Sequence, residues 1–457
     1  MFSLRAHTRW ALPLALGLTT LGAAVPQASA TKTVTPVRDD FNGDGYADLA
    51  VAAPQATVGG KARAGYVAVM YGGSHGLSTG HRTIISRASA GVPGSPAKGE
   101  TLGSQLSKGD LDGDGYADLV AAGSPAQGGS VVLWGGPHGL SGGTAVPALS
   151  TQTGDFDGDG RLDLALFRTG SGSGGGDDPY GTEATLWSGP VKRTGVPAAE
   201  KPLAAAPLQY VDIRDGATGD LNGDGRDDLA LTAYCGDGVN CTEVFLSTSS
   251  GFARGVSFPG DGAVAIGDVN GDGIADLVTG RVEDNEIWAA YGSAAGLGAP
   301  GTWKRYTQDT PGVPGAEESE DTFGTSVAVG DITGDGIDDV AVGDPGENQD
   351  EGVVDVLRGS RSGLTGTGAQ AFGQNTKGVP GTAEPHDIFG NTVALLDINR
   401  NGHADLAASA PGEDAGNGAV WVLRGRPEGL VTDAALAFGG KAVGAPYTKA
   451  DFGSGLK

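Results

Sequence analysis

The chain has 457 residues, 83 of them glycine, with 19% charged residues and a formal net charge of −25. That much glycine argues against long helices, because each interior Gly costs a helix about 1 kcal/mol, and an acidic surface repels nucleic acid and anionic lipid. What remains is a chain of many short strands joined by glycine turns, with 39% hydrophobic residues to fill a core.

The N-terminus reads as a targeting segment. Arg5, His7 and Arg9 precede an apolar stretch from Trp10 to Val25, and Ala28-Ser29-Ala30 has the small residues of a cleavage site. The stretch contains Pro13 and Gly17 and is shorter than the ~20 apolar residues of a spanning helix. Residues 1–30 are expected to be a secretory signal peptide, and residues 31–457 a secreted, extracellular domain with no membrane span.

From Asp40 onward one nine-residue motif recurs at intervals of roughly 60 residues, a period that suits a four-stranded propeller blade. Positions 1, 3, 5 and 9 carry oxygen-bearing side chains. In the first three copies these are Asp40, Asn42, Asp44 and Asp48; Asp110, Asp112, Asp114 and Asp118; Asp155, Asp157, Asp159 and Asp163. The fourth and fifth copies have Asp220, Asn222, Asp224 and Asp228, then Asp268, Asn270, Asp272 and Asp276. The sixth has Asp331, Thr333, Asp335 and Asp339, and the seventh Asp397, Asn399, Asn401 and Asp405. Position 6 is Gly in every copy, as a sharp turn requires.

Calcium takes 6–8 oxygen ligands, and alternate side chains in a tight turn can supply them. Position 7 adds a backbone carbonyl, from Tyr46, Tyr116, Arg161, Arg226, Ile274, Ile337 and His403. The motif is not an EF-hand, because position 12 is Val51, Ala121, Leu166, Leu231, Thr279, Val342 or Ala408 rather than Glu. The competing reading is a metal-free Asx-turn; seven copies with Asp at both positions 1 and 9 favour up to seven Ca²⁺ sites. Charge count ranks the second and third loops strongest and the seventh weakest.

The flanks read as strands. Asp-Leu-Ala-Val-Ala follows the first loop from Asp48, and Gly352-Val-Val-Asp-Val-Leu-Arg-Gly and Gly418-Ala-Val-Trp-Val-Leu-Arg-Gly are further β-branched runs between glycines. Gly-Val-Pro-Gly, an acidic spacer and Phe-Gly precede the sixth and seventh loops, ending in Phe323-Gly324 and Phe389-Gly390. The pattern starts once more at Phe452-Gly453, with no loop after it, whereas the first loop has no Phe-Gly before it. The C-terminal strand is thus expected to complete the first blade and close the ring; the alternative uses Val34 to Val37 as the first strand. Cys235 and Cys241, in a secreted chain, are expected to form a local disulfide.

These features resemble the FG-GAP repeat family, the propeller of integrin α-subunits. The resemblance rests on the Phe-Gly pairs, the Asp-rich loops, and Ala53-Pro54, Ser124-Pro125, Asp344-Pro345 and Ala410-Pro411 after the second strand. It implies an all-β, seven-bladed propeller of four-stranded antiparallel blades over residues 31–457, with calcium held between the first two strands of a blade. The third to fifth units lack the Phe-Gly segment, and nothing resembles an integrin leg or inserted domain.

Fold does not fix function. The leading expectation is a monomeric extracellular binding or adhesion platform for a protein or glycan. The alternative is a calcium-assisted hydrolase or lyase acting on polysaccharide or lipid. No catalytic residue is assigned: Gly72-Gly-Ser74-His75-Gly76 fits a nucleophile elbow only as a pattern and reads as a turn. Glu317, Glu318, Glu320, Asp321 and His386 are the acids and His that the repeat leaves unexplained.

Overall fold

Strands buried at every position need cover on both faces. Leu49–Ala53 and Asp339–Asp344 are buried at every position, and their side chains go alternately to two different cores. Leu49, Val51 and Ala53 pack on one side, whereas Ala50 and Ala52 pack on the other. Val340 and Val342 are likewise separated from Ala341. This is the two-residue period of a strand placed between two sheets.

The computed structural model describes residues 39–124, 129–169, 182–203 and 212–457. The expected signal peptide, the alternative first strand at 34–37 and the glycine-rich run 170–176 lie outside them. Among the described residues 27 strands form seven antiparallel sheets. The sheets span 49–85, 106–146, 150–202, 212–259, 264–306, 326–372 and 393–439, and are called blades 1 to 7 in that order. All belong to the unit Thr35–Lys457. The chain is a seven-bladed β-propeller.

Blades 2 to 7 have four strands each in sequence order. Blade 1 has three, Leu49–Ala53, Tyr66–Met70 and Arg82–Ile85, and its fourth comes from the C-terminus. Val51 pairs antiparallel with Leu456. Ala50 N donates to Lys457 O at 2.8 Å, Lys457 N to Ala50 O at 3.1 Å, and Ala52 N to Gly455 O at 2.8 Å. The expected closure is therefore present.

Apolar packing gives the same result. Seven clusters of buried side chains each join two successive blades, and one of them joins blade 7 to blade 1. An open row of seven blades would have only six such interfaces. Phe323, Phe389 and Phe452 are fully buried wedges in three of these interfaces. The glycine after each wedge lets two blades touch: a Cβ at Gly390 would lie 2.6 Å from Val353 O, and one at Gly453 would lie 2.8 Å from Ser409 Cβ. The inner strands line an axial cavity of about 340 Å³, whose wall includes Val264, Val327, Val393 and Leu456. Lys108 pairs with Asp39 on the same wall at 2.5 Å.

Phe452→Ala is expected to lower stability by about 3–5 kcal/mol, the usual loss for a buried Phe, read by urea unfolding. A loss below about 1 kcal/mol would show that the closing interface contributes little.

Candidate metal centres

Six of the loops connect the first and second strands of blades 2 to 7, and the first leads into Leu49–Ala53, the strand that pairs with the closing C-terminal segment, so all seven share one end of the ring. Their geometry starts from position 1. Its carboxylate accepts the backbone N–H of the position-6 glycine at 2.7–2.9 Å in every loop. Those glycines have φ between +81° and +92°. The other oxygen of position 1 accepts N–H groups from positions 4 or 5, as in Gly43 to Asp40 at 2.6 Å. At position 4 six loops have Gly in the left-handed region; the seventh places Arg400 there with φ +56°, a conformation that costs a residue with a Cβ about 1–2 kcal/mol.

Position 9 has a task that the sequence did not reveal. Its Asp is at most 2% exposed in all seven loops. One oxygen accepts a backbone N–H at the end of the blade's third strand, from Gly72, Gly135, Gly189, Ser247, Gly292, Gly359 or Gly425, at 2.7–3.0 Å. In five loops the other oxygen accepts the N–H of position 2, as in Phe41 to Asp48 at 2.8 Å. The carboxylate clamps its loop to the neighbouring turn. Buried hydrogen bonds to a charged group are among the stronger ones, about 1.5–3 kcal/mol each. The clamp explains Asp at position 9 in every copy without reference to metal.

Burial pushes the carboxyls of Asp48, Asp118, Asp163, Asp228 and Asp276 up to about 7, and that of Asp405 up to about 6, with nearby loop carboxylates adding to the rise. The backbone N–H bonds oppose this shift. A cation in the loop would favour the charged form and relieve the repulsion.

The loops differ in what they offer. Asp110, Asp112 and Asp118, and likewise Asp155, Asp157 and Asp163, each place three carboxylate oxygens within 4.8 Å of one another. One ion at the usual distance of about 2.4 Å can touch all three. Asp157 Oδ1 is buried without a hydrogen-bond partner, so the third loop fits a cation directly. In the second loop Arg193 of blade 3 supplies a positive charge, its Nε 2.5 Å from Asp112 Oδ2 and its Nη2 2.6 Å from Asp114 Oδ2. The equal ranking of these two loops by charge count is separated by this residue, which lies about 80 positions away in sequence and gave no local signal. In the seventh loop the Asn399 amide donates to Asp405 Oδ2 at 2.8 Å, which satisfies that carboxylate with a neutral group.

The loops also touch one another. At five junctions the N–H of position 8 donates to the position-1 carbonyl of the preceding loop: Ala117 to Asp40, Asp227 to Asp155, Ala275 to Asp220, Asp338 to Asp268 and Ala404 to Asp331, at 2.8–3.1 Å.

Other sequence candidates resolve individually. Cys235 and Cys241 are joined by a disulfide in the hairpin of strands Asp228–Gly236 and Val239–Thr248, with Cα atoms 6.1 Å apart. Ser74 and His75 lie in the turn between strands Tyr66–Met70 and Arg82–Ile85, not on the strand-to-helix turn of a nucleophile elbow. Glu317 and Glu320 are exposed, and His386 Nδ1 lies 2.7 Å from Asp350 Oδ2. Glu318 and Asp321 do come together, with Glu347 of the next turn. The buried acids beside them, Asp344 and Asp355, were missed because each looked like an ordinary strand position. The signal available was an acid inside an apolar run, Val-Val-Asp355-Val.

Comparison with known proteins agrees with this architecture. A model described as "FG-GAP repeat" matches residues 36–70, 323–357 and 389–423, and one described as "FG-GAP-like repeat" matches 110–166 and 220–279. Each of the seven loops falls inside a matched segment. The chain is an FG-GAP-repeat β-propeller. Its propeller is similar to part of integrin α-subunits: it is 34% identical to integrin alpha-IIb of Mus musculus over 37% of this chain and 16% of that one. It is 32% identical to integrin alpha pat-2 of Caenorhabditis briggsae, over 46% and 18%, and 29% identical to integrin alpha-8 of Mus musculus, over 50% and 22%. The matches thus span less than a quarter of those relatives.

A pH prediction follows for the calcium-free chain. Carboxyls that titrate near 7 when folded and near 4 when unfolded make the folded state bind more protons in between. Stability is then highest near the lower value and falls as pH rises through about 7. The melting temperature in chelator is expected to be higher at pH 5.5 than at pH 8, with calcium shrinking the difference. A melting temperature that rises with pH in chelator would contradict the burial of these groups.

Proposed function

We infer that this chain is a secreted, calcium-binding propeller that serves as an extracellular binding platform for a protein or glycan. The observation that supports it is the closed ring of seven FG-GAP loops, all at one end, two of which bring three carboxylate oxygens within 4.8 Å of one another. The chain resembles part of integrin α-subunits, and among its described residues no helix is long and apolar enough to cross a membrane. The N-terminal 30 residues, with their Ala-x-Ala site, support export.

Calcium would be held by positions 1, 3, 5 and 9 and the position-7 carbonyl of each loop. It would supply positive charge that lets the acids stay ionised and the loops stay fixed. The third loop binds tightest, since it has four carboxylates and an unpaired buried oxygen. The second is weakened by Arg193 and the seventh by its two Asn residues. A ring end rigidified in this way presents loops on a stiff scaffold, the usual arrangement for recognition.

Two measurements test this reading. Equilibrium dialysis should find calcium bound to the full chain, with Asp157→Asn weakening the tightest site about tenfold, or by about 1.4 kcal/mol. Arg193→Gln should strengthen binding at the second loop by a similar factor. An array of glycans and extracellular matrix proteins, probed with and without EGTA, should show binding that chelation abolishes. No calcium uptake, or partner binding unaffected by EGTA, would overturn the corresponding half of the proposal.

A further inference from the structure

The acids left over from the repeat gather at the end of blade 6 away from its loop. Asp344 ends the strand that begins at loop position 9, Glu347 sits in the following turn, and Asp355 is on the next strand. Glu318 and Asp321 precede the first strand of the blade, and Gln308 follows the last strand of blade 5. Oxygens of Glu318, Asp321 and Glu347 lie within 4.8 Å of one another. Gln308 Nε2 donates to Glu347 Oε2 at 3.0 Å and to Asp355 Oδ2 at 3.4 Å, which ties the buried acid to the cluster.

The pocket is incomplete as it stands. Asp344 and Asp355 are fully buried, and Gln308 is 3% exposed. Yet Asp344 Oδ2, Asp355 Oδ1 and Gln308 Oε1 have no hydrogen-bond partner. A buried acceptor left unpaired costs about 1–3 kcal/mol, more when charged. Among the described residues none of the five carboxylates forms an ion pair. Burial, with added repulsion from neighbouring acids, raises Asp344 to about 7 and Asp355 to about 8.

Other repeats show what completes such a pocket. At the corresponding pocket of blade 2, Arg87, which follows the last strand of blade 1, stands four residues before Gly-Val-Pro-Gly, where Gln308 stands here, and Glu100 takes the place of Asp321. Arg87 and Glu100 form an ion pair buried on both sides, and Arg87 also donates to Pro93 O at 2.7 Å and Gly129 O at 2.6 Å. That pocket carries its own cation. Blade 7 keeps Gln374, Glu384, Asp387 and Glu413 but has Ala410 and Trp421 where blade 6 has Asp344 and Asp355. Blade 6 alone of the three pairs the neutral Gln with five acids.

We propose that this pocket is a further cation site, independent of the repeat loops, that binds a hard divalent ion of the calcium class through Glu318, Asp321 and Glu347, with the buried, unpaired acids Asp344 and Asp355 behind them adding negative charge. An all-oxygen ligand set with several carboxylates and irregular spacing suits calcium better than magnesium, which demands near-ideal octahedral geometry. The ion takes the place that the Arg87 guanidinium fills in blade 2. Glu318 is exposed and Glu347 half-buried, so the pocket opens to solvent on that side.

The test is a crystal structure of the unmodified full chain grown with Mn²⁺, with anomalous scattering as readout. A peak between Glu318, Asp321 and Glu347 is expected. Peaks at the repeat loops with none at this pocket would overturn the proposal, as would no peak anywhere. Two variants give a solution measurement of calcium stoichiometry. Glu347→Gln removes a ligand, and Gln308→Arg installs the cation found at the blade 2 pocket; each should bind one ion fewer per chain. Gln308→Arg should also raise the melting temperature in chelator. Unchanged stoichiometry in a folded variant would overturn the assignment.

Discussion

Every blade depends on having a neighbour on each side. Its second strand sends alternate side chains into two interfaces, so a blade with one free face would expose half of that strand's apolar residues. Only a closed ring gives all seven blades two neighbours. The antiparallel pairing of residues 453–457 with Leu49–Ala53 is what closes it. The burial of Phe452, and the interface between blades 7 and 1, follow from that pairing.

Much of this architecture could be read from the sequence, for a physical reason. Strand period, glycine at forced positive φ and alternating oxygen ligands are local properties, and local properties survive in a linear string. The seven loops, their position between first and second strands, and the completion of blade 1 from Phe452 onward all follow from such patterns. What stayed hidden depends on residues distant in sequence. Arg193 reaches the second loop from another blade, and the Asp344–Asp355 pocket forms only when two strands, a turn and a spacer from blade 6 meet Gln308 from blade 5.

Position 9 teaches a more particular lesson. In the repeat it looks like the last metal ligand. In the fold it is first a clamp, accepting the same backbone N–H beside the third strand in all seven loops, even in the seventh, where Asn residues lower the charge. A residue can recur because the scaffold needs it, and metal chemistry can then be added or reduced at positions 3 and 5. Those two positions do vary among Asp, Asn and Thr, while position 9 does not. The two roles are compatible, because each carboxylate oxygen has two lone pairs.

The closing strand also orders events in time. Residues 49–53 emerge early in synthesis, but the segment that pairs with them follows about 400 residues later, a separation that makes such a contact slow to form. Until it arrives, Leu49 and Val51 have no partner sheet, and their strand has an open edge of the kind that templates misassembly. Delayed closure makes the first blade the last to be finished.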